Sequence, residues 1–156
     1  MKLNFFKTLT LLAILFITAT FPSHAAGPNG LSSGQTVYVP AYSHIYSGNK
    51  EVQSLLAVTL SIRNTDLNYP IEILSVSYYD TKGNLLKHYL PKPISLPPLG
   101  STRYIVSQND KSGGSGANFI VKWQSASPVN IPIIETIMIG SRSSFTSRSQ
   151  EIIPSK

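Results

Sequence analysis

LAVTLSIR, residues 56–63, alternates large apolar side chains with small or polar ones. Leu56, Val58, Leu60 and Ile62 fall on one face of an extended chain, and Ala57, Thr59, Ser61 and Arg63 on the other. A period of two predicts a half-buried β-strand, because successive side chains of a strand point to opposite faces. Asn64-Thr65-Asp66 follows and predicts a turn, since short polar side chains bond their own backbone.

Outward from this strand the same alternation recurs. Ile71 to Tyr79 reads as a second long strand whose apolar phase changes: Ile71 and Ile73 are odd, while Leu74, Val76 and Tyr78 are even. A β-bulge near Ile73–Leu74, or burial on both faces, accounts for the change. Asp80-Thr81-Lys82-Gly83 predicts a hairpin turn to Leu85–Leu90. Pro91 and Pro93 lack backbone donors and place their stretch at a sheet edge. Leu96 to Gly100 reads as a turn, after which Thr102, Tyr104 and Val106 resume alternation. Gln108 to Gly116 reads as a flexible polar loop, and Ala117, Phe119, Val121 and Trp123 as the inward face of another strand. Ile133 to Ile139 and Ser144 to Arg148 close the series. Beyond the first residues no run has helical period. The pattern predicts an all-β domain, an immunoglobulin-like sandwich of about seven to nine strands, with a small barrel as the alternative. Trp123, Phe119, Val121, Leu60 and Ile62 are its expected core.

The start of the chain has a different character. Lys2 and Lys7 precede an apolar run from Leu9 to Phe21, and Ser23-His24-Ala25 offers small residues at the cleavage positions. This predicts a signal peptide over residues 1–25. The run is shorter than the ~20 residues a spanning helix needs, and no later segment is apolar for long enough, so the mature chain is expected to carry no transmembrane segment. Residues 26–34 read as a flexible Gly/Ser/Pro leader, 35–150 as one domain and 151–156 as a tail. Cleavage leaves about 131 residues, the size of a single domain. The expected location is the periplasm or the exterior.

Charge and composition exclude several classes. Without Lys2 and Lys7 the chain holds 11 basic residues against 7 acidic ones, spread without a cluster, which argues against nucleic acid as a partner. The absence of cysteine excludes thiol catalysis, a Cys-ligated zinc and an N-terminal lipid-modified Cys. Gly113-Gly114-Ser115-Gly116 lacks the Gly-Lys-Ser/Thr ending of a phosphate loop, and Ala117 stands where a nucleophile elbow needs glycine. His44 and His88 are the only histidines after residue 25, too few for an ordinary metal site, and no metal or other cofactor is expected. None of the seven acids has a spacing that implies a catalytic pair.

Aromatic residues with polar tips suit recognition surfaces. In an extended chain Tyr38, Tyr42, His44 and Tyr46 share one face. The candidate binding residues are Tyr42, His44 and Tyr46, with Ser115 and Asn118 from the glycine-rich loop; a sheet edge and an ordinary turn are the structural alternatives. Functionally, a non-catalytic binding or accessory module of the bacterial envelope leads, with an envelope protein or a glycan as partner. A small metal-binding protein using His44 and His88 follows, and a hydrolase without a recognisable motif comes third.

Taken together, TVYVPAYSHIYSG (36–48), LLAVTLSIRNTD (55–66), SVSYYDTKGNLL (75–86), SGGSGANFIVKW (112–123) and PIIETIMIG (132–140) with SFTSR (144–148) resemble a bacterial exported family, domain of unknown function 3124. The resemblance covers about Val37 to Arg148. It implies a bacterial, exported, single-domain protein and brings no reaction, ligand or site residue with it.

Overall fold

The computed structural model describes residues 30–154 other than 142, with backbone alone at 47 and 50. The expected signal peptide therefore lies outside the described residues. The chain forms β1 (Leu31–Pro40), β2 (His44–Ser47), β3 (Val52–Leu55), β4 (Ala57–Arg63), β5 (Ile71–Tyr79), β6 (Leu85–His88), β7 (Ile94–Leu96), β8 (Ser101–Val106), β9 (Asn118–Asn130), β10 (Ile133–Ile139), β11 (Ser144–Arg148) and β12 (Gln150–Glu151). One 3-10 turn, Gly48–Lys50, separates β2 from β3. Among the described residues no helix is long and apolar enough to cross a membrane.

One sheet runs β12-β1-β9-β5-β6, with β7 also on β5; the second runs β11-β10-β4-β8; β2 and β3 form a separate hairpin. Both main sheets stay open, so the sandwich forms and the barrel alternative does not. Among the described residues seven strands have five residues or more; of the shorter ones β6 is the expected arm of the Asp80 hairpin, and β2, β3, β7 and β12 are too brief for alternation to reveal. The longer strands divide four and three, as in a seven-stranded immunoglobulin domain. The order differs in one respect: the first strand, β1, sits in the three-strand layer beside β9.

The core is the interface of the two layers. Val37 and Val39 of β1, Ile73, Val76 and Tyr78 of β5, and Phe119, Val121 and Trp123 of β9 face Val58, Leu60 and Ile62 of β4 and Ile134 and Met138 of β10. Each full burial of such an aliphatic side chain contributes ~1.5–3 kcal/mol. The bulge in β5 is present: Ile73 pairs with Trp123, Ser75 pairs with Lys122, and the apolar phase switches between them. The Asp80 hairpin is present as well, with Gly83 at φ +83° donating to the Asp80 carbonyl.

The leader ends earlier than the sequence suggests. Leu31 and Ser32 pair with Asn130 and Val129, and the strand resumes at Gly34 opposite Gln124 after a register shift. Gly and Ser at 32–34 admit this irregularity without dissolving the strand. A Cβ on Gly34 would stand 2.8 Å from the Trp123 carbonyl oxygen, so the close approach of β9 requires glycine.

At one end of the sandwich a buried polar knot joins three connections. The Asn64 amide donates to the carbonyls of Tyr69, Leu96 and Pro97, while its own oxygen accepts from the Asp66 N–H. The Asp66 carboxylate accepts N–H groups of Asn68 and Tyr69 on one oxygen and both the backbone and the amide N–H of Asn130 on the other. The links β4–β5, β7–β8 and β9–β10 are thereby held together. Those N–H donors, chiefly from Asn68, Asn130 and Tyr69, hold the Asp66 carboxyl below its ordinary 3.8.

Asn64→Ala removes the amide that three carbonyls share and the acceptor of the Asp66 N–H, the Pro97 carbonyl keeping a second donor in the Gly100 N–H, so it should destabilise by ~3 kcal/mol, whereas Thr65→Ala, which removes one exposed hydrogen bond, should cost under ~1 kcal/mol; urea unfolding compares them. Asp80 is likewise depressed, by the Asn84 side chain and then its backbone N–H. For both acids the stabilisation is complete above 3.8 and is lost as the pH falls through the lower folded values. The melting temperature should therefore decline below pH 3.8, and Asp66→Asn with Asp80→Asn should flatten that decline.

Candidate functional site

The strand registers bring most other connections to the opposite end. Pro40 and Tyr79 both pair with Asn118, Ala57 pairs with Ile139, and Val58 with Val106. The segments 41–43, 80–84, 107–117 and 140–143 and the β2–β3 hairpin therefore cluster there. The two stretches singled out from sequence do meet. Ala41 donates to the Ala117 carbonyl at 2.8 Å, and Ser43 donates both its N–H (3.0 Å) and its hydroxyl (3.1 Å) to the Gly114 carbonyl.

The glycine-rich loop is tied on its other side too. Thr81 donates its N–H and its hydroxyl to the Gly113 carbonyl, each at 2.9 Å, and its hydroxyl oxygen accepts the Gly116 N–H at 3.0 Å. The loop is thus clamped between the β1–β2 link and the β5–β6 turn, and its polar backbone is engaged rather than free. Its glycines follow from close approach: a Cβ on Gly113 would stand 2.0 Å from the Tyr78 hydroxyl, and one on Gly114, at φ +78°, 2.4 Å from the Thr81 hydroxyl.

The five candidate residues do not converge as side chains. The chain is not extended from Tyr38 to Tyr46, because β1 stops at Pro40 and residues 41–43 turn. Tyr42 packs inward, its ring 5.9 Å from Phe145 and edge-on. His44 is buried, and its Nε2 lies 3.4 Å from the Tyr46 hydroxyl with the rings nearly perpendicular. Tyr46 is exposed. Ser115 is half-buried at the loop tip, and Asn118 begins β9 between Pro40 and Tyr79.

Two clefts flank the 107–117 loop. The hairpin cleft, about 790 Å³, lies between β2–β3, Gln108 and the β10–β11 turn, and is lined by Ile45, Tyr46, Val52, Gln53, Ser54, Leu55, Gln108, Ser141 and Ser143. None of these residues carries a charge. Gln108 is oriented by donating its amide to the Leu55 carbonyl at 3.2 Å. The edge cleft, about 450 Å³, opens where β6 and β8 end their respective sheets; Tyr78, Leu86, Lys87, Tyr89, Ile105, Asp110 and Ser112 line it. Tyr89 is fixed by edge contact with Tyr104 (5.4 Å), a tilted contact with Phe119 (5.8 Å) and a hydrogen bond from its hydroxyl to the Ile105 carbonyl (3.2 Å). Burial, then Tyr78 and Asp110, push its phenol up to about 12. Burial raises Tyr78 likewise, with the Ser43 hydroxyl pulling the other way.

His44 and His88 lie on different sheets with different partners, and among the described residues no three His, Cys, Asp or Glu side chains are placed to hold a metal. The Ser77 hydroxyl lies 2.9 Å from His88 Nδ1, a pairing the sequence conceals because the β5–β6 register creates it. No carboxylate hydrogen-bonds that imidazole among the described residues, so the third member of a triad is lacking. The edge cleft was also beyond sequence reading: Tyr78, Tyr89 and Asp110 come together only through the sandwich.

The family model described as "Protein of unknown function (DUF3124)" matches residues 34–152. No curated protein matches the chain, and no solved structure does.

Gly113→Ala should force Tyr78 or the loop to move and destabilise by ~3 kcal/mol, the upper part of the overpacking range. Ser115→Ala, on the same loop, should leave stability within ~0.5 kcal/mol; thermal melting of the two variants checks the contrast.

Proposed function

We propose, from the premise that this chain belongs to the DUF3124 family of proteins of unknown function, that it is an exported, non-catalytic binding module of the bacterial envelope. Its ligand is an uncharged glycan taken at the hairpin cleft. One observation carries the reading: a cleft at the loop-bearing end of a rigid sandwich is lined by amides, hydroxyls, aliphatic groups and an exposed tyrosine, without a charged side chain among its described lining residues.

That chemistry suits a neutral sugar. Gln53 and Gln108 offer both donors and acceptors, Ser54, Ser141 and Ser143 are within the same lining, and Tyr46 offers a ring face to C–H groups with a hydroxyl at its tip. Among the described lining residues no ion has to be desolvated when a neutral ligand enters. Recognition by loops on a fixed β scaffold is the common arrangement in sandwiches. Export is supported by Lys2, Lys7, the Leu9–Phe21 run and Ser23-His24-Ala25. The lack of a completed triad around Ser77 and His88 favours binding over hydrolysis.

N-terminal sequencing of the protein recovered from the envelope or medium should begin at Ala26; an intact Met1 in a cytoplasmic fraction refutes export. Calorimetric titration with neutral oligosaccharides, chitotriose and maltotriose among them, should show saturable binding that Tyr46→Ala weakens at least tenfold, about 1.4 kcal/mol, with melting unchanged. Absence of binding across the neutral panel, or equal binding by Tyr46→Ala, refutes the glycan site.

A further inference from the structure

We infer that the edge cleft is a second binding site, for a small zwitterion: a free amino acid with an apolar side chain. The site is distinct from the hairpin cleft and lies on the other side of the 107–117 loop.

Four features of the cleft point to this ligand class. Its volume, about 450 Å³, falls in the range of about 300–1,000 Å³ that small-molecule sites occupy. Its floor is aromatic and already set, because Tyr89 is pinned between Tyr104, Phe119 and the Ile105 carbonyl. Such a ring needs no ordering when a ligand arrives. Leu86, exposed in the free protein, extends the apolar lining. The charged groups are one of each sign. Lys87 Nζ stands 4.4 Å from the Tyr89 ring centroid, and Asp110 belongs to the facing loop, where one carboxylate oxygen takes both the N–H and the hydroxyl of Ser112.

Opposite charges in one small cleft select by sign. A simple anion that meets Lys87 also faces Asp110, and a simple cation that meets Asp110 also faces Lys87. A molecule with both an ammonium and a carboxylate satisfies the two together, and like-charge juxtaposition disfavours the others. The phenol of Tyr89, held near 12 by burial, stays neutral and does not repel a carboxylate. The side chain of the amino acid then rests on Leu86 and Ile105, both exposed in the cleft, while Lys87 lies over the Tyr89 ring. Lys87 and Asp110 are both exposed, so replacing them leaves the core intact.

Isothermal titration of the purified protein with L-phenylalanine and L-leucine tests this, alongside phenethylamine and 3-phenylpropanoate, which keep the apolar body and a single charge. We expect saturable binding of the amino acids and at least tenfold weaker binding of both single-charge analogues. Lys87→Met and Asp110→Asn should each weaken the amino acids at least tenfold, with melting temperatures unchanged. Tyr46→Ala should leave amino-acid binding as it is, which separates this site from the glycan site. No amino-acid binding up to roughly 10 mM, analogues that bind as well, or affinity unchanged in both cleft variants would each overturn the inference.

Discussion

The Asn64–Asp66 knot is the constraint on which the rest of the sandwich depends. The two layers share an apolar interface, and apolar contact is non-directional: it forbids a one-residue slip, which would turn the apolar face outward, but distinguishes less between registers two residues apart. The knot supplies the missing direction. Asn64 and Asp66 reach the β4–β5, β7–β8 and β9–β10 connections with defined donors and acceptors. A slide of β9 against β5 would break its bonds to Asn130. Burying those polar groups is tolerable only because every bond is made together, so the knot rewards a single arrangement of the strands.

The other end is built on a different principle. There the loops are held by a clamp, Ser43 and Thr81 on either side of Gly113–Gly116, and the clamp leaves concavities beside it. The 107–117 segment serves as a partition wall. Gln108 belongs to one cleft, and Asp110 and Ser112 to the other. The carbonyls of Gly113, Gly114 and Ala117 tie the wall to the β1–β2 link and the β5–β6 turn. A chamber whose described lining is uncharged and a chamber with one charge of each sign thus stand side by side on one scaffold.

Much of this was legible in residue order. Alternation marked β4 and the 117–123 part of β9, and the expected strands Ile133 to Ile139 and Ser144 to Arg148 coincide with β10 and β11. The phase change in β5 admitted a bulge or burial on both faces, and the register shift between Ile73 and Ser75 shows the bulge. The β2–β3 hairpin was obscure, since strands of four residues offer too few alternations to count. The Tyr38–Tyr46 face failed for a local reason, the turn after Pro40, which sends Tyr42 to Phe145 and leaves Tyr46 outside. The clefts are products of strand pairing between distant segments. Tyr78 and Asp110 are ordinary residues in sequence, and only the layer geometry makes them neighbours of one cavity.

The placement of β1 sets a schedule for folding. Val37 is bonded to Val121 on one side and to Glu151 on the other. A chain that emerges from its N-terminus therefore carries its first strand unpaired until almost all of the domain has followed. Long loops must close before these contacts form, which makes such topologies slow. No fragment that lacks β9 and β12 can complete the first sheet, whereas β2–β3, β4–β8 and β5–β6 pair within residues 44–106. The same exchange of layers that distinguishes this sandwich thus makes closure of the first sheet, rather than the onset of folding, wait for the C-terminal strands.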